Sequence, residues 1–262
     1  MKLHEFKGKK NARAKISMLT CYDYPSARLA AMTDLDVLLV GDSVAMVVHG
    51  HSSTIMATTE MMVLHTQAVA RGLGKQFLVA DLPFLCHRGS LDNTLQNVKS
   101  LLQAGAHAIK IEGGDANVCA TIRYLVDSGI PVMGHIGLTP QSVLQLGGYK
   151  VQGKDEEHAL QIKLQAAALE DAGCFAVVIE CVPEKLAASI SQSLSIPTIG
   201  IGAGVDTDGQ VLVWHDMLGL NTQFNLRFVR QFARSQPVLL HGINEYVDHV
   251  KKSMFPTSEH SF

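Results

Sequence analysis

The stretch Val37-Leu-Leu-Val-Gly-Asp-Ser-Val-Ala-Met-Val-Val-His-Gly-His51 begins with a short apolar run, and Gly41, Asp42 and Ser43 follow that run directly. The run, Val37 to Val40, has the length and composition of a buried β-strand. A carboxylate is costly inside such a strand, so we expect Asp42 at its C-terminal end, where a partner can satisfy the charge. The stretch therefore predicts a strand that leads into a functional acid.

The same pattern of a short strand followed by a polar or glycine residue recurs along the chain. The predicted strands are 16–21, 37–40, 77–80, 108–112, 131–134, 176–179, 196–201 and 210–214. Helical stretches separate them, and three of the helices end at a glycine shortly before the next strand, at Gly105, Gly129 and Gly173. Strands that alternate with helices pair in parallel through right-handed crossovers. The sequence thus predicts an α/β fold built from eight such units.

Length decides between the two architectures that such units can build. One (β/α)8 TIM barrel uses roughly 250 residues, and this chain has 262 with no linker-like change in composition. A closed barrel is therefore favoured over a doubly wound sheet. We expect a single domain over residues 1–262, with a short N-terminal arm and a C-terminal helical region.

Composition excludes several classes of function. The net charge of −2 provides no basic surface for nucleic acid or an anionic membrane. No apolar run approaches the ~20 residues of a membrane span, and residues 1–15 lack the apolar core of a secretory signal. The five cysteines are odd in number and form no Cys-x-x-Cys pair, which is typical of reduced thiols. We expect a cytoplasmic protein that acts on small molecules.

Charged side chains are predicted to meet at the C-terminal mouth of the barrel. Those at or just after strand ends are Asp42, Asp81, Glu112, His135 and Glu180. Residues two apart on a strand share a face, and these faces are otherwise apolar except on the fourth strand. There Lys110 shares the face of Glu112, one layer below the rim. A buried lysine needs an anion, so we expect a substrate group or a neighbouring acid beside it.

Each of these features also has a simpler interpretation. A single strand-terminal Asp is more often a helix cap or a loop acid, and His135 alone could be a satisfied core histidine. Four acids that end four strands favour a shared site instead. The segment Gly200-Ile-Gly-Ala-Gly204 lacks the third glycine and the following helix of a dinucleotide-binding loop, so close backbone approach explains it better. His49, His51, His65 and His87 show no metal-ligand spacing.

The chemistry of the strand-end residues points to a hard cation. Several carboxylates with little sulfur or imidazole suit Mg²⁺ better than Zn²⁺. Mg²⁺ beside a positioned lysine suits a substrate with a carboxylate next to a carbonyl, whose enolate the metal would stabilise. Glu180, which follows three apolar residues, is the candidate acid or base outside the metal shell. The residues alone therefore predict Mg²⁺-dependent enolate chemistry on a small oxo acid.

Six motifs occur in order along most of the chain. They are Val40-Gly-Asp-Ser43, Ala80-Asp-Leu-Pro-Phe84, Ile109-Lys-Ile-Glu-Gly-Gly114, Gly134-His-Ile-Gly-Leu-Thr-Pro-Gln141, Gly147-Gly-Tyr-Lys-Val-Gln-Gly153 and Ile179-Glu-Cys-Val-Pro183. A strand-terminal acid taken singly is unspecific, but six motifs in order are highly specific. Together they resemble the 3-methyl-2-oxobutanoate (ketopantoate) hydroxymethyltransferases, from about Ala14 to the C-terminal tail.

That resemblance implies a TIM barrel of the phosphoenolpyruvate/pyruvate type that forms homo-oligomers, typically decamers. It implies transfer of a hydroxymethyl unit from 5,10-methylenetetrahydrofolate to 3-methyl-2-oxobutanoate through a Mg²⁺-stabilised enolate. The product would be 2-dehydropantoate, on the route to pantothenate and coenzyme A. The metal acids would be Asp42, Asp81 and Glu112, the contacts to the oxo acid Asp42, Ser43, Asp81, Lys110 and His135, and the proton acceptor Glu180.

Several positions depart from the family pattern. Ala45 replaces a usual glycine, Ser52 replaces a usual aspartate, and Leu146 stands where an aromatic residue is common. Phe224-Asn-Leu-Arg-Phe228 replaces a usual Phe-x-Pro-Lys-Phe. Two alternatives stay open: a catalytically weakened paralogue that serves as an oligomeric scaffold, and a Mg²⁺-dependent oxo-acid carbon–carbon lyase of the same barrel class. Against the lyase, the sequence has no nucleophilic-cysteine loop.

Overall fold

A computed structural model describes residues 1–221 and 226–262 and contains a closed barrel of eight parallel strands. The strands are β1 (Ile16–Thr20), β2 (Val37–Val40), β3 (Phe77–Asp81), β4 (Ala108–Glu112), β5 (Val132–Gly137), β6 (Ala176–Glu180), β7 (Thr198–Ile201) and β8 (Gly209–Leu212). They pair in sequence order, and β8 closes the barrel on β1. The predicted α/β class and closed barrel are therefore confirmed.

Helices follow most of the strands. They are α1 (Leu3–Asn11), α2 (Tyr24–Ala31), α3 (Val44–Val47), α4 (Thr59–Gly72), α5 (Leu91–Gln103), α6 (Ala116–Asp127), α7 (Glu156–Asp171), α8 (Glu184–Ser193), α9 (Trp214–Met217) and α10 (Ser235–Lys251). Ser90 caps the start of α5, where its hydroxyl accepts a hydrogen bond from the Asn93 amide at 3.3 Å. Thr58 caps the start of α4, where its hydroxyl accepts a hydrogen bond from the Met61 amide at 3.2 Å.

The strand ends at the mouth differ from the sequence prediction. Asp81 and Glu180 are the last residues of β3 and β6 rather than the first residues after them. β5 continues through His135 to Gly137, because Gly137 pairs with Glu180 in the parallel ladder. At the other end of the chain, β8 stops at Leu212, earlier than predicted. Several site residues therefore lie on paired strands and not on loops.

An aromatic cluster lies at the opposite end of the barrel. Phe6 of α1 is buried and packs its ring edge-on against Phe77 and Phe175, at centroid distances of 5.3 and 4.8 Å. Phe77 begins β3, and Phe175 immediately precedes β6. The predicted N-terminal arm is thus a helix that closes the N-terminal end of the barrel with an aromatic cluster.

The described chain divides into two compact units, Met1–Leu212 and Val213–Phe262. The first contains the barrel and α1 to α8, and the second contains α9 and α10. The expectation of one domain over the whole chain stays a prediction. Phe224 and Asn225, which belong to the departure at 224–228, lie outside the described residues. Within the described ranges, no helix combines the length and the hydropathy that crossing a bilayer requires.

Candidate active site

The predicted site residues converge at the C-terminal mouth of the barrel. Asp42 and Ser43 follow β2, Asp81 ends β3, Lys110 and Glu112 lie on β4, His135 lies on β5 and Glu180 ends β6. Apart from Ser43 and Glu180, which are partly exposed, these side chains are buried. Burial of so many charged groups in one place is costly unless they compensate one another or a ligand.

The ammonium of Lys110 lies at the centre of this cluster. Its Nζ is 3.1 Å from Asp81 Oδ1 and 4.0 Å from Glu112 Oε1. Burial disfavours the charged form, but Asp81, Glu112 and Asp42 together raise the pKa of Lys110, so the side chain stays an ammonium. The neighbouring acid expected beside this lysine is therefore Asp81.

His135 joins two carboxylates through its two ring nitrogens. Its Nδ1 is 3.3 Å from Glu112 Oε1, and its Nε2 is 3.2 Å from Glu180 Oε2. Burial and the Lys110 charge oppose the imidazolium, but the two carboxylates raise the pKa of His135 to about 9. Lys110 Nζ also lies 3.1 Å from Nδ1, so the ammonium and the two carboxylates act on the same ring in opposite directions. The His135 ring lies between Glu180, whose side chain is 16% exposed, and Glu112, whose side chain is 4% exposed.

Asp42 is held from two sides in the buried part of the site. The backbone amide of Asp42 donates to Asp81 Oδ2 at 3.0 Å. The side-chain Nε2 of Gln141 donates to Asp42 Oδ2 at 2.8 Å. Burial, and then repulsion from Asp81 and Glu112, raise the pKa of Asp42 well above its ordinary value. The acids of the site therefore repel one another, and the charge of Lys110 offsets this repulsion at Asp42 only in part.

The donor set fits a hard divalent cation. Among the described residues, no three acids, histidines or cysteines already form a metal cage. Mg²⁺ does not need one, because it usually takes one or two protein carboxylates and completes its octahedron with substrate oxygens and water. The candidate donors are Asp42, Asp81 and Glu112, whose mutual repulsion a cation would relieve.

Two further residues of the site, Tyr22 and Gln141, are not singled out by the sequence patterns above. The Tyr22 hydroxyl lies 2.8 Å from Ser43 Oγ, and burial raises the pKa of Tyr22, so the hydroxyl stays protonated. Tyr22 stands two residues beyond β1, just as Asp42 stands two residues beyond β2. Gln141 is the last residue of the Gly134–Gln141 motif. Position relative to a strand end could therefore have identified Tyr22.

Comparison with known sequences assigns the chain to a family. The sequence model of the ketopantoate hydroxymethyltransferases matches residues 1–258. The chain belongs to the ketopantoate hydroxymethyltransferase family. A Legionella pneumophila 3-methyl-2-oxobutanoate hydroxymethyltransferase is 66% identical over 262 residues, which are 100% of both chains. The Bdellovibrio bacteriovorus enzyme of the same name is 51% identical over 98% of each chain. These matches confirm the resemblance that the six motifs indicated. The protein is therefore a transferase.

Solved structures of other enzymes share the barrel of this hydroxymethyltransferase. Phosphoenolpyruvate phosphomutase from Streptomyces platensis subsp. rosaceus superposes with a TM-score of 0.64 at 14% identity, covering 97% of this chain and 88% of its own. The structure of 2,3-dimethylmalate lyase, a PEP mutase/isocitrate lyase superfamily member, superposes with a TM-score of 0.61 at 17% identity. The match covers 99% of this chain and 91% of the lyase chain. A phosphonopyruvate hydrolase complex with oxalate and Mg²⁺ superposes with a TM-score of 0.63 at 11% identity. The match covers 98% of this chain and 92% of the hydrolase chain. Similarity at this level concerns the fold alone, and it agrees with the closed (β/α)8 barrel of this chain.

Proposed function

We propose that this hydroxymethyltransferase transfers the one-carbon unit of 5,10-methylenetetrahydrofolate to 3-methyl-2-oxobutanoate and forms 2-dehydropantoate for pantothenate biosynthesis. The two relatives compared above are named for that oxo acid. The observation that carries the proposal is the buried charged cluster around Lys110 at the mouth of the barrel. An oxo acid presents a carboxylate beside a carbonyl, and both groups need charged or polar partners when they are taken out of water.

Lys110 and Ser43 are the candidate partners for the oxygens of the oxo acid. Lys110 remains an ammonium because neighbouring carboxylates raise its pKa, so it can attract an anionic substrate at any physiological pH. Ser43 Oγ is held by the Tyr22 hydroxyl at 2.8 Å, which limits its freedom before substrate arrives. Asp42, Asp81 and His135 complete the proposed substrate contacts.

Asp42, Asp81 and Glu112 would hold Mg²⁺ in this site. When bound, Mg²⁺ supplies Lewis-acid polarisation of two adjacent substrate oxygens and stabilises the negative charge of the enolate. The protein's own contribution is the arrangement of the acids. Hydrogen bonds from the Asp42 amide and from Gln141 fix Asp81 and Asp42, while His135 and Lys110 lie against Glu112.

Glu180 is the proposed base that removes the proton from the carbon beside the carbonyl. Its Oε2 faces His135 Nε2 at 3.2 Å, which leaves Oε1 to accept the proton. Partial exposure makes Glu180 more accessible to a substrate than the fully buried acids. The electron pair of the broken C–H bond forms the enolate, whose carbon forms a bond to the methylene carbon of the folate. Both C–N bonds that hold this carbon break, water supplies the hydroxyl oxygen of the product, and tetrahydrofolate leaves with its nitrogens protonated.

Deuterium exchange tests the proposal without the folate. We expect 3-methyl-2-oxobutanoate to exchange its C3 hydrogen in D₂O when enzyme and Mg²⁺ are both present, and NMR would follow the exchange. Glu180→Gln should slow the exchange on the order of 10²-fold or more, because the proton acceptor is lost. The matched control is Glu184→Gln, an exposed glutamate four residues further along the chain. Absence of Mg²⁺-dependent exchange in the unmodified enzyme would refute the proposal.

Turnover with the folate distinguishes the remaining alternatives. A scaffold paralogue, motivated by Ser52 and the altered segment 224–228, would give no turnover, whereas ~1 s⁻¹ or more is typical of enzymes. The family assignment favours the transferase over the carbon–carbon lyase, because the matching family is a transferase family. Cleavage of a substituted malate without folate would be the result expected of a lyase.

A further inference from the structure

We propose that Gln141 is a positioning residue that holds the carboxylates of Asp42 and Glu112 in place for the divalent cation of the site. The inference rests on the metal site of the proposed function. Within the described residues, the hydrogen bonds of Gln141 reach no charged group other than these two acids. The test of the inference is therefore a measurement on the metal itself.

The contacts of Gln141 reach three neighbouring strand ends. Gln141 is 5% exposed and lies in the 3₁₀ turn Pro140–Ser142, which follows β5. Its side-chain Nε2 donates to Asp42 Oδ2 at 2.8 Å and to the Leu82 carbonyl oxygen at 3.0 Å. Its backbone amide donates to Glu112 Oε2 at 3.0 Å. One residue thus ties the ends of β2, β3 and β4 to the loop after β5.

The chemistry of the partners fixes the orientation of the Gln141 amide. A backbone carbonyl can only accept, and the same Nε2 contacts both the Leu82 carbonyl oxygen and Asp42 Oδ2, so this position requires the NH₂ group. A flipped amide would place its oxygen against the oxygens of Leu82 and Asp42. Both amide hydrogens are therefore committed, and one of them orients Asp42 through Oδ2. Oδ1 is then the oxygen that Asp42 can offer to a cation.

A neutral donor suits this position better than a charged one. Hydrogen bonds from a neutral group to a carboxylate are charge-assisted and fix its orientation. A second ammonium at this point would instead compete with the cation for the negative charge of Asp42. Hydrogen-bonded neighbours of metal ligands typically contribute about 10- to 100-fold to metal affinity by this orienting effect. Gln141 has the contacts expected of such a neighbour toward two candidate ligands at once.

The test is Mn²⁺ affinity, measured by isothermal titration calorimetry with the metal alone. Gln141→Met keeps the length of the side chain and the backbone amide but removes both NH₂ donors. We expect it to bind Mn²⁺ about 10- to 100-fold more weakly than the unmodified enzyme. The matched control is Gln145→Met, the same substitution at an exposed glutamine of the same loop, which should leave the affinity unchanged. A Gln141→Met affinity within twofold of the unmodified enzyme would overturn the inference.

A second variant keeps the test decisive if Gln141→Met does not fold. Gln141→Asn retains the amide but is one methylene shorter, so it should also weaken Mn²⁺ binding, and circular dichroism would verify that each variant is folded. In steady-state assays we expect a higher KM for the metal and recovery of most activity at saturating Mn²⁺. If the enzyme binds Mn²⁺ but never exchanges the C3 hydrogen, the proposed function fails while the Gln141 comparison still decides this inference. If the unmodified enzyme binds no Mn²⁺ at millimolar concentration, the inference fails as well.

Discussion

Asp42 is the residue at which stability and the proposed function oppose each other. Burial and the nearby carboxylates of Asp81 and Glu112 raise its pKa, so its ionised form is disfavoured in the folded protein. An acid whose pKa is raised by folding lowers the stability of the protein at pH values above its ordinary pKa. A bound cation would reverse that cost, which explains why an acid is kept at this position.

We predict that Asp42→Asn makes the metal-free protein more stable and its metal binding weaker. The amide removes one buried negative charge and keeps an oxygen that can accept from Gln141 Nε2. Thermal unfolding in EDTA should give a higher Tm for the variant, and calorimetry should give weaker Mg²⁺ binding. Asp36→Asn, which alters an acid outside the site paired with Lys9, is the control that should not change Mg²⁺ binding. Unchanged Mg²⁺ affinity in Asp42→Asn would refute the metal assignment of Asp42.

His87 is a buried residue whose ring has no hydrogen-bond partner within the described part of the chain. Burial, together with the charge of Arg88, lowers its pKa to about 4. In the unfolded chain the ring takes up a proton near pH 6.5, whereas in the folded protein it stays neutral down to about 4. The free energy of unfolding therefore decreases as the pH falls from about 6.5 to about 4, because the unfolded state binds a proton that the folded state does not.

We predict that His87→Phe reduces this pH dependence. Denaturant unfolding should show the difference in stability between variant and unmodified protein growing as the pH falls from about 6.5 to 4.5, toward a limit on the order of 3 kcal/mol. His4→Phe, at an exposed position in α1, serves as the control and should follow the unmodified protein. Parallel stability curves for His87→Phe and the unmodified protein would show that His87 does not titrate as described.

At the scale of elements, the extension of β5 positions the end of β6. Gly137, the last residue of β5, pairs with Glu180 and has φ of 88°, a conformation that favours glycine. A Cβ at this position would collide with the carbonyl oxygen of Glu180. The Leu138 amide donates to that same oxygen at 2.8 Å. The glycine therefore lets two strand ends approach closely enough to hold the proposed base.

We predict that Gly137→Ala destabilises the protein by more than about 1 kcal/mol and also lowers activity. The added methyl group requires a strained φ and pushes against the backbone of Glu180. Gly8→Ala is the matched control, because Gly8 lies within α1 with open space around it and alanine there should stabilise the helix by roughly 0.5–1 kcal/mol. Urea unfolding and the exchange assay measure the two effects. Equal stabilities for the two variants would contradict the close approach.

At the scale of the whole molecule, assembly is an expectation that the family resemblance carries. Within the second unit, α10 presents a stripe of exposed apolar side chains at helical spacing. The stripe comprises Leu239, Ile243, Tyr246 and Val250. Exposed apolar stripes of this kind are typical of surfaces that another protein covers. The homo-oligomer, with ten copies as its typical size in the family, stays a prediction.

We predict that the purified protein is oligomeric in light scattering coupled to size exclusion. Ile243→Asp should shift the distribution toward smaller species, because a charge in a covered apolar surface is costly. Asn244→Asp adds the same charge one residue further along α10, on another face of the helix, and should leave the distribution unchanged. A monomeric unmodified protein, or identical profiles for both variants, would contradict the role given to α10.

The sequence by itself determined the order of the elements and which end of the barrel carries the acids. Runs such as Val37–Val40 and Ala108–Glu112 are recognisable because strand periodicity and glycine stops are local properties. The placement of Asp81 and Glu180 near the mouth followed from their positions at strand ends, and that of Lys110 one layer below from the face it shares with Glu112. Six motifs then sufficed to identify the family, which the matches over nearly the whole chain confirmed.

Only the tertiary structure decided which of these residues touch. Gln141 and Asp42 are 99 residues apart in sequence, and their contact exists because the barrel closes and brings β2 near the loop after β5. The raised pKa of His135 likewise depends on Glu112 and Glu180, which come from the two neighbouring strands. Local patterns carry no information on such distances, because they arise from strand register and barrel closure rather than from the residues next in the chain.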